Sequence, residues 1–233
     1  MFESKYSKVL TIILVIVIVA IVILLGFLGY DYYEKYFTTK QASDFVDNYQ
    51  SDVTTGDNQE ENTTTQPEEN TTENVTLDGL DQTPTNGTSS GSSSSSKKTF
   101  KGYTTVGTMK IPKINLEYPI LEKLSTQSLA TSIVALYPSA DNINQPGNTV
   151  IIGHNYRNGL FFSNLKKLSN GDKVYITDYR GTSITYTIYN KFEASDSDTS
   201  FYDRDTAGKA EITLSTCTDA SNDQRTIIFA KQD

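Results

Sequence analysis

The chain has 233 residues with a formal net charge of −8, one cysteine, one histidine and no tryptophan. A single cysteine excludes an intramolecular disulfide, and an acidic chain without a basic stripe argues against a nucleic-acid partner. Composition is so uneven along the chain that only about the last 135 residues hold enough apolar side chains for a core.

Residues 1–8 form a short basic N-terminus carrying Lys5 and Lys8. Residues 9–30, from Val9 to Tyr30, carry no charge. At 1.5 Å rise per residue they cross a hydrocarbon layer of roughly 30 Å, so the sequence predicts a transmembrane anchor. A cleaved signal peptide is the competing reading, but its apolar run is usually about 7 to 15 residues and ends in small residues. Here the run is longer and leaves through Asp31, Tyr32, Tyr33 and Glu34. With Lys5 and Lys8 before the helix and acidic residues after it, the N-terminus is expected in the cytoplasm and the rest of the chain outside the cell.

Residues 31–100 are expected to be an extracellular linker. From Gln41 to Lys98 the sequence is rich in Thr, Ser, Asn and carboxylates and poor in large apolar residues, ending in the Gly91 to Ser96 run. Such a segment buries too little to offset its ordering entropy and is expected to be a disordered tether. Its random-coil reach is roughly 40 Å.

Residues 101–233 read as the folded domain. Short β-rich runs are predicted at Val106 to Ile111, Glu117 to Leu121, Ile133 to Leu136, Thr149 to Ile152, Lys173 to Thr177, Ser183 to Phe192, Ala210 to Thr216 and Thr226 to Ala230. Two short helices are predicted, around Thr126 to Thr131 with Ser125 as N-cap, and around Phe161 to Leu168 with Gly171 beyond its end. This many short strands in one domain predict an all-β fold, an eight-stranded closed or nearly closed barrel.

Three residues stand out chemically. Along Glu211 to Cys217 side chains alternate faces, so Ile212 and Leu214 share one face and Thr213, Ser215 and Cys217 the other. The thiol therefore sits with hydroxyls at a strand end beside a polar loop, a common place for catalytic groups. His154 also ends a β run, and a thiol nucleophile needs a proton acceptor or cationic partner near neutral pH. Arg225 opens the last strand, where a tight return loop would bring it to the thiol's edge of the sheet. Its guanidinium would hold a carbonyl or an oxyanion, or else pair with Asp219 or Asp223 at the surface.

The stretches Val150-Ile-Ile-Gly-His154, Thr213-Leu-Ser-Thr-Cys217 and Arg225-Thr-Ile-Ile-Phe229 resemble the sortase family in content and order. Supporting resemblance runs through Gly107 to Pro112, Pro119 to Leu121 and Phe161 to Leu168, so it covers nearly all of the domain from Tyr103 to Lys231. It implies a sortase-type barrel on a Gram-positive cell membrane and a thiol transpeptidase. Cys217 would cleave a C-terminal sorting signal of the Leu-Pro-x-Thr-Gly kind through a thioester. A peptidoglycan or pilin amine would then accept the secreted protein. His154 would move protons, Arg225 would hold substrate and oxyanion, and Thr216 would contact the substrate backbone. The pattern is similar to housekeeping or class D enzymes, since the Asp-Pro-aromatic lid motif and the long helical insertion before the nucleophile strand are both missing. No cofactor is expected. The one alternative is Ca²⁺ at the acidic Asp196 to Asp205 loop, which lacks the spacing of an EF-hand.

Two rival readings are an L,D-transpeptidase-like cysteine enzyme and a non-catalytic β-module displayed at the surface. The first usually embeds its thiol in Ser-x-Gly-Cys-x-Arg, whereas Thr216 and Thr218 flank Cys217. The second predicts a thiol protected from alkylation until the domain unfolds.

Overall fold

The computed structural model describes residues 3–55, 97–138 and 143–233. One long helix, α1 (Glu3–Thr55), precedes nine strands: β1 (Thr99–Phe100), β2 (Tyr103–Ile111), β3 (Leu116–Leu121), β4 (Ile133–Tyr137), β5 (Gly147–Ile152), β6 (Lys173–Asp178), β7 (Ser183–Ser195), β8 (Ala210–Cys217) and β9 (Gln224–Gln232). A second helix, α2 (Thr126–Thr131), links β3 to β4. Ser125 caps it through a reciprocal bond pair with Ser128, as the sequence predicts.

The sheet runs β1-β2-β3-β4-β5-β8-β9-β7-β6, and β2 also pairs with β6, which closes β2 to β9 into an eight-stranded barrel. At this seam Gly107 meets β6 so closely that a Cβ there would lie 2.5 Å from the Thr177 carbonyl oxygen. Only glycine lets the two backbones approach in this way. The two-residue β1 is an addition at the rim, and its Phe100 is buried, so the folded unit begins just before residue 101.

Every pair is antiparallel except β3–β4 and β5–β8. The parallel β5–β8 pair decides where the chemistry sits. Ile151 and Ile152 stand opposite Leu214 and Ser215, so both strands end at one edge of the barrel. The interior holds Met109, Ile120, Ile133, Ile151, Phe162, Leu165, Ile176, Ile212, Leu214 and Ile228, all without solvent exposure.

The predicted helix over Phe161 to Leu168 is absent; the structure has a 3₁₀ turn at Leu165–Lys167. Phe161 bridges to Asn155 and takes a left-handed φ of 48°, which stops an α-helix there. Phe162, Leu165 and Leu168 are fully buried at threefold spacing, and that spacing aligns side chains on a 3₁₀ path rather than an α path.

The linker expectation is also corrected in part, because α1 continues through Gln41 and ends at Thr55. Ala42, Val46 and Tyr49 are buried and Phe45 packs against the core cluster. Positions 42, 45, 46 and 49 share one helical face. Each large side chain on it contributes about 1.5–3 kcal/mol by leaving water. Short as it is, this apolar stripe suffices because the barrel offers it a matching surface. The Gly91 to Ser96 run and the rest of the expected tether, 56–96, lie outside the described residues.

Within α1, Lys8–Tyr49 contains a window with mean hydropathy 3.5 and none of it buried, long and apolar enough to cross a membrane. Tyr30, Tyr32, Tyr33 and Tyr36 are exposed at its far end, where aromatic rings suit a membrane interface.

Candidate active site

The shared end of β5 and β8 brings the three candidate residues together. Cys217 is the last residue of β8, and its register partner on β9 is Arg225. The guanidinium Nη1 donates to the Cys217 sulfur at 3.3 Å. The same nitrogen donates to the carbonyls of Asn222 and Gln224, which fixes the fork over the thiol. His154 follows β5 by two residues and lines the same cleft. Cys217 is half-buried, so a substrate can reach the sulfur.

Gly153 sets the course of the chain into His154. A Cβ there would lie 2.9 Å from both Ile133 Cγ2 and Phe162 Cδ2, so a side chain would push the histidine off its place. The Thr216 hydroxyl donates to the Gly153 carbonyl at 2.7 Å and is buried. Thr216 therefore lines the cleft while tying the nucleophile strand to the histidine strand. The His154 ring lies against Tyr156 at 4.7 Å between centroids. Burial pushes its pKa below the ordinary imidazole value, so the neutral ring is favoured.

A clamp that sequence reasoning missed joins the two loops. Asn155 Nδ2 donates to the Cys217 carbonyl at 2.9 Å and to Asp219 Oδ1 at 2.8 Å. Arg157 donates to the carbonyls of Asp219 (3.0 Å) and Thr218 (3.2 Å). Lys166 also pairs with Asp219. These contacts, Lys166 foremost, hold the Asp219 carboxyl below the usual range. Asp219 is thus spent on the clamp rather than on Arg225. The available signal was a run of polar residues right after His154, but its partners are more than sixty positions away.

The loop between β7 and β8 forms the other wall. Arg204 reaches from it onto the hydroxyl face of β8, donating to Asn148 Oδ1 at 2.8 Å and Thr213 Oγ1 at 3.3 Å, above the Phe229 ring at 3.9 Å. Thr213 and Ser215 are buried, and of that polar face Ser215 and the half-buried Cys217 line the cleft. Phe201 and Tyr202 of the same loop line the cleft beside Asp196 and Asp198. The cleft encloses about 280 Å³.

Two of the loop's acids serve local turns. Asp198 and Asp205 accept the backbone N–H of Ser200 and Ala207 in local turns. Among the described residues no three His, Cys, Asp or Glu side chains converge as a metal site requires.

A sortase domain profile matches residues 109–233, more than half of the chain. Sortase A of Bacillus anthracis is 26% identical over 132 residues, covering 54% of this chain and 58% of that protein. Sortase A of Streptococcus agalactiae is 28% identical over 130 residues, covering 54% and 52%. The chain spans about half the length of the curated relatives it matches. Among solved structures, sortase A from Corynebacterium diphtheriae superposes with a TM-score of 0.52 at 30% identity, covering 56% of this chain and 61% of that one. A Clostridium perfringens sortase D5 transpeptidase gives 0.50 at 29% identity, covering 55% and 79%. With the profile covering the barrel through both the thiol and the arginine strands, the chain belongs to the sortase family.

Proposed function

We propose that this chain is a membrane-anchored cysteine transpeptidase whose barrel works outside the cell. The observation that carries the reading is the Arg225 guanidinium on the Cys217 sulfur, with His154 in the same cleft. Family membership supports the transpeptidase class; the substrate of the proposal is a C-terminal sorting signal of the Leu-Pro-x-Thr-Gly kind, and the acceptor a peptidoglycan or pilin amine.

The Cys217 thiol gives its proton to His154, and the sulfur attacks the carbonyl carbon before the scissile bond. The C–N bond breaks, a thioester forms, and the leaving amine takes its proton from His154. The incoming amine loses a proton to His154 and attacks the thioester, releasing the thiolate. Arg225 stabilises the oxyanion in both halves with donors already aimed at the sulfur's edge of the cleft. Thr216 ties the two strands together at the substrate's backbone level, and Asp196 and Asp198 give the cleft an acidic wall suited to an incoming ammonium. No step calls for a cofactor.

Lys5 and Lys8 before the apolar window support an N-terminus in the cytoplasm and a barrel outside. The deciding experiment incubates the full chain in detergent with a library of sorting-signal peptides and identifies adducts by mass spectrometry. A thioester on Cys217, released by an added amine, is the expected result. An unmodified thiol that resists alkylation in the folded protein would favour the non-catalytic module instead.

A further inference from the structure

The helix that carries the apolar window does not stop at the membrane surface. Its residues 39–49 are fastened to β1, β2 and β3. Phe45 meets Phe100 edge-on at 5.1 Å, Ser43 donates to Glu117 at 2.5 Å, Lys110 pairs with Asp47 at 2.9 Å, and Lys98 lies over the Tyr49 ring at 4.9 Å. Tyr49 and Tyr118 bond to Thr105 and Thr39 across the same interface. The contact combines an apolar stripe, hydrogen bonds and an ion pair, so it resists both sliding and rotation.

Nearer the membrane, α1 passes beside the catalytic edge. Tyr32, Glu34, Lys35 and Thr38 form a cleft of about 470 Å³ with Ala130 and the 156–161 loop. Gly159 comes so near that its Cβ would sit 2.9 Å from Lys35 Nζ. This cleft and the catalytic one share their walls: Ala130 faces the first and Leu129 the second, while Tyr156 faces the first and packs at a tilt against His154 of the second. At 1.5 Å rise, Tyr32 to Thr38 lie about 3–12 Å beyond Tyr30, and Ala42 about 18 Å beyond it. The loop that follows His154 therefore lies beside the membrane-proximal part of α1, and the β1 and β2 contacts lie beside its more distant part.

We infer that α1 is a mount as well as an anchor: it holds the barrel with the His154–Cys217 cleft toward the bilayer at a fixed height, so that peptides presented close to the membrane surface are the preferred substrates. Height and orientation follow from the helix and its contacts alone; the substrate clause rests on the proposed function. The connection through residues 56–96 then only returns the chain from the mount to β1 and does not set the reach of the domain.

The test reconstitutes the full chain in phosphatidylcholine–phosphatidylglycerol vesicles and labels Cys217, the sole cysteine, with a fluorescent donor. Energy transfer to headgroup-labelled lipid reports its height. Transfer should be efficient in the wild type and unchanged when twenty Gly-Ser residues are inserted within 56–96, but should fall at least twofold in Val46→Asp. A fall with the insertion equal to that in Val46→Asp would overturn the mount and restore a tether. The same holds if Val46→Asp, with its barrel intact by near-ultraviolet circular dichroism, transfers as efficiently as wild type. If Val46→Asp unfolds the barrel, the insertion result decides alone. In parallel, membrane-anchored sorting-signal peptides with short and long spacers are compared with a soluble peptide. The wild type should prefer the short spacer at least threefold, and equal rates would remove the substrate clause. A wild type that cleaves neither peptide would count against the functional reading and leave the height measurement standing.

Discussion

Arg225 Nη1 donates to Cys217 Sγ at 3.3 Å because the two residues are register partners across the β8–β9 hairpin. The backbone pairing fixes the separation of their Cα atoms, and the carbonyls of Asn222 and Gln224 fix the guanidinium's orientation. Arg225→Lys keeps the charge but loses the planar fork that serves sulfur and loop together. Turnover of a sorting-signal peptide should drop at least tenfold, or about 1.4 kcal/mol of transition-state stabilisation, while thermal melting stays near wild type. A rate within threefold of wild type would show that Arg225 is neither oxyanion donor nor substrate clamp.

His154 is the only histidine, so its titration can be followed by NMR without assignment ambiguity. Burial lowers its pKa in the fold, whereas the unfolded chain should titrate near 6.5. The sign follows directly. Above about pH 6.5 the ring is neutral in both states and stability is full. As pH falls through 6.5 and then through the lower folded value, the unfolded chain binds the proton first and stability is lost. The imidazole resonance should titrate at lower pH in the native protein than in urea. A native value at or above 6.5 would contradict the desolvated setting. In His154→Gln the part of the acid destabilisation lying in that pH window should vanish.

The clamp between the histidine and cysteine loops should matter more for turnover than for binding. Asn155→Ala removes both donors to the Cys217 carbonyl and Asp219, each hydrogen bond being worth about 0.5–1.5 kcal/mol of stability. The expected result is a kcat about tenfold lower with KM nearly unchanged and a melting temperature a few degrees lower. A raised KM with unchanged kcat would make Asn155 a substrate contact instead of a positioning residue.

Much of this was legible in the sequence. Strand positions followed from two-residue alternation and turn residues, and all eight predicted runs fall on barrel strands. The chemistry at the strand ends was also readable, because His154, Cys217 and Arg225 each adjoin a polar loop. Two features were hidden for physical reasons. Ala42, Phe45, Val46 and Tyr49 form a stripe too sparse to stand alone as a helix, and its partner surface lies beyond residue 98. The Asn155–Asp219 bond is equally non-local: it exists because β5 and β8 run parallel, and sequence gives no pairing order. The 3₁₀ turn at Leu165 was misread as α-helix because threefold and 3.6-fold spacing barely differ over one or two turns.

Far from the cleft, Asp178 tests the stability of the barrel's seam. It is fully buried, pairs with Arg180 at 2.8 Å and accepts the N–H groups of Arg180 and Thr182, both at 2.9 Å. Asp178→Ala removes the buried acceptor that these N–H groups and the Arg180 guanidinium share, and should cost about 3–5 kcal/mol. Arg180→Ala should cost less, since its side chain is one third exposed and the carboxylate keeps its backbone donors. Urea denaturation of the two variants checks the order, and the reverse order would mean the guanidinium, not the carboxylate, holds the turn.

The two halves of the proposed reaction can be separated at Cys217 and His154. Cys217→Ala should abolish both peptide cleavage and acyl-enzyme formation, because the chain has no second thiol to replace the nucleophile. His154→Ala keeps the sulfur and its Arg225 partner, so a thiol probe should still label it, yet the leaving amine lacks its proton donor and transfer should stop. Neither variant should shift the melting temperature by more than a few degrees, since both residues are only half-buried at the rim of the cleft. Labelling by iodoacetamide and adduct mass spectrometry together distinguish the variants: neither turns over, and only His154→Ala carries label. A His154→Ala protein that forms and resolves the thioester at near-normal rates would remove the imidazole from the mechanism and leave Arg225 as the sole partner of the thiol. A Cys217→Ala protein that still cleaves the peptide would sink thiol catalysis at this cleft altogether, whatever the fold.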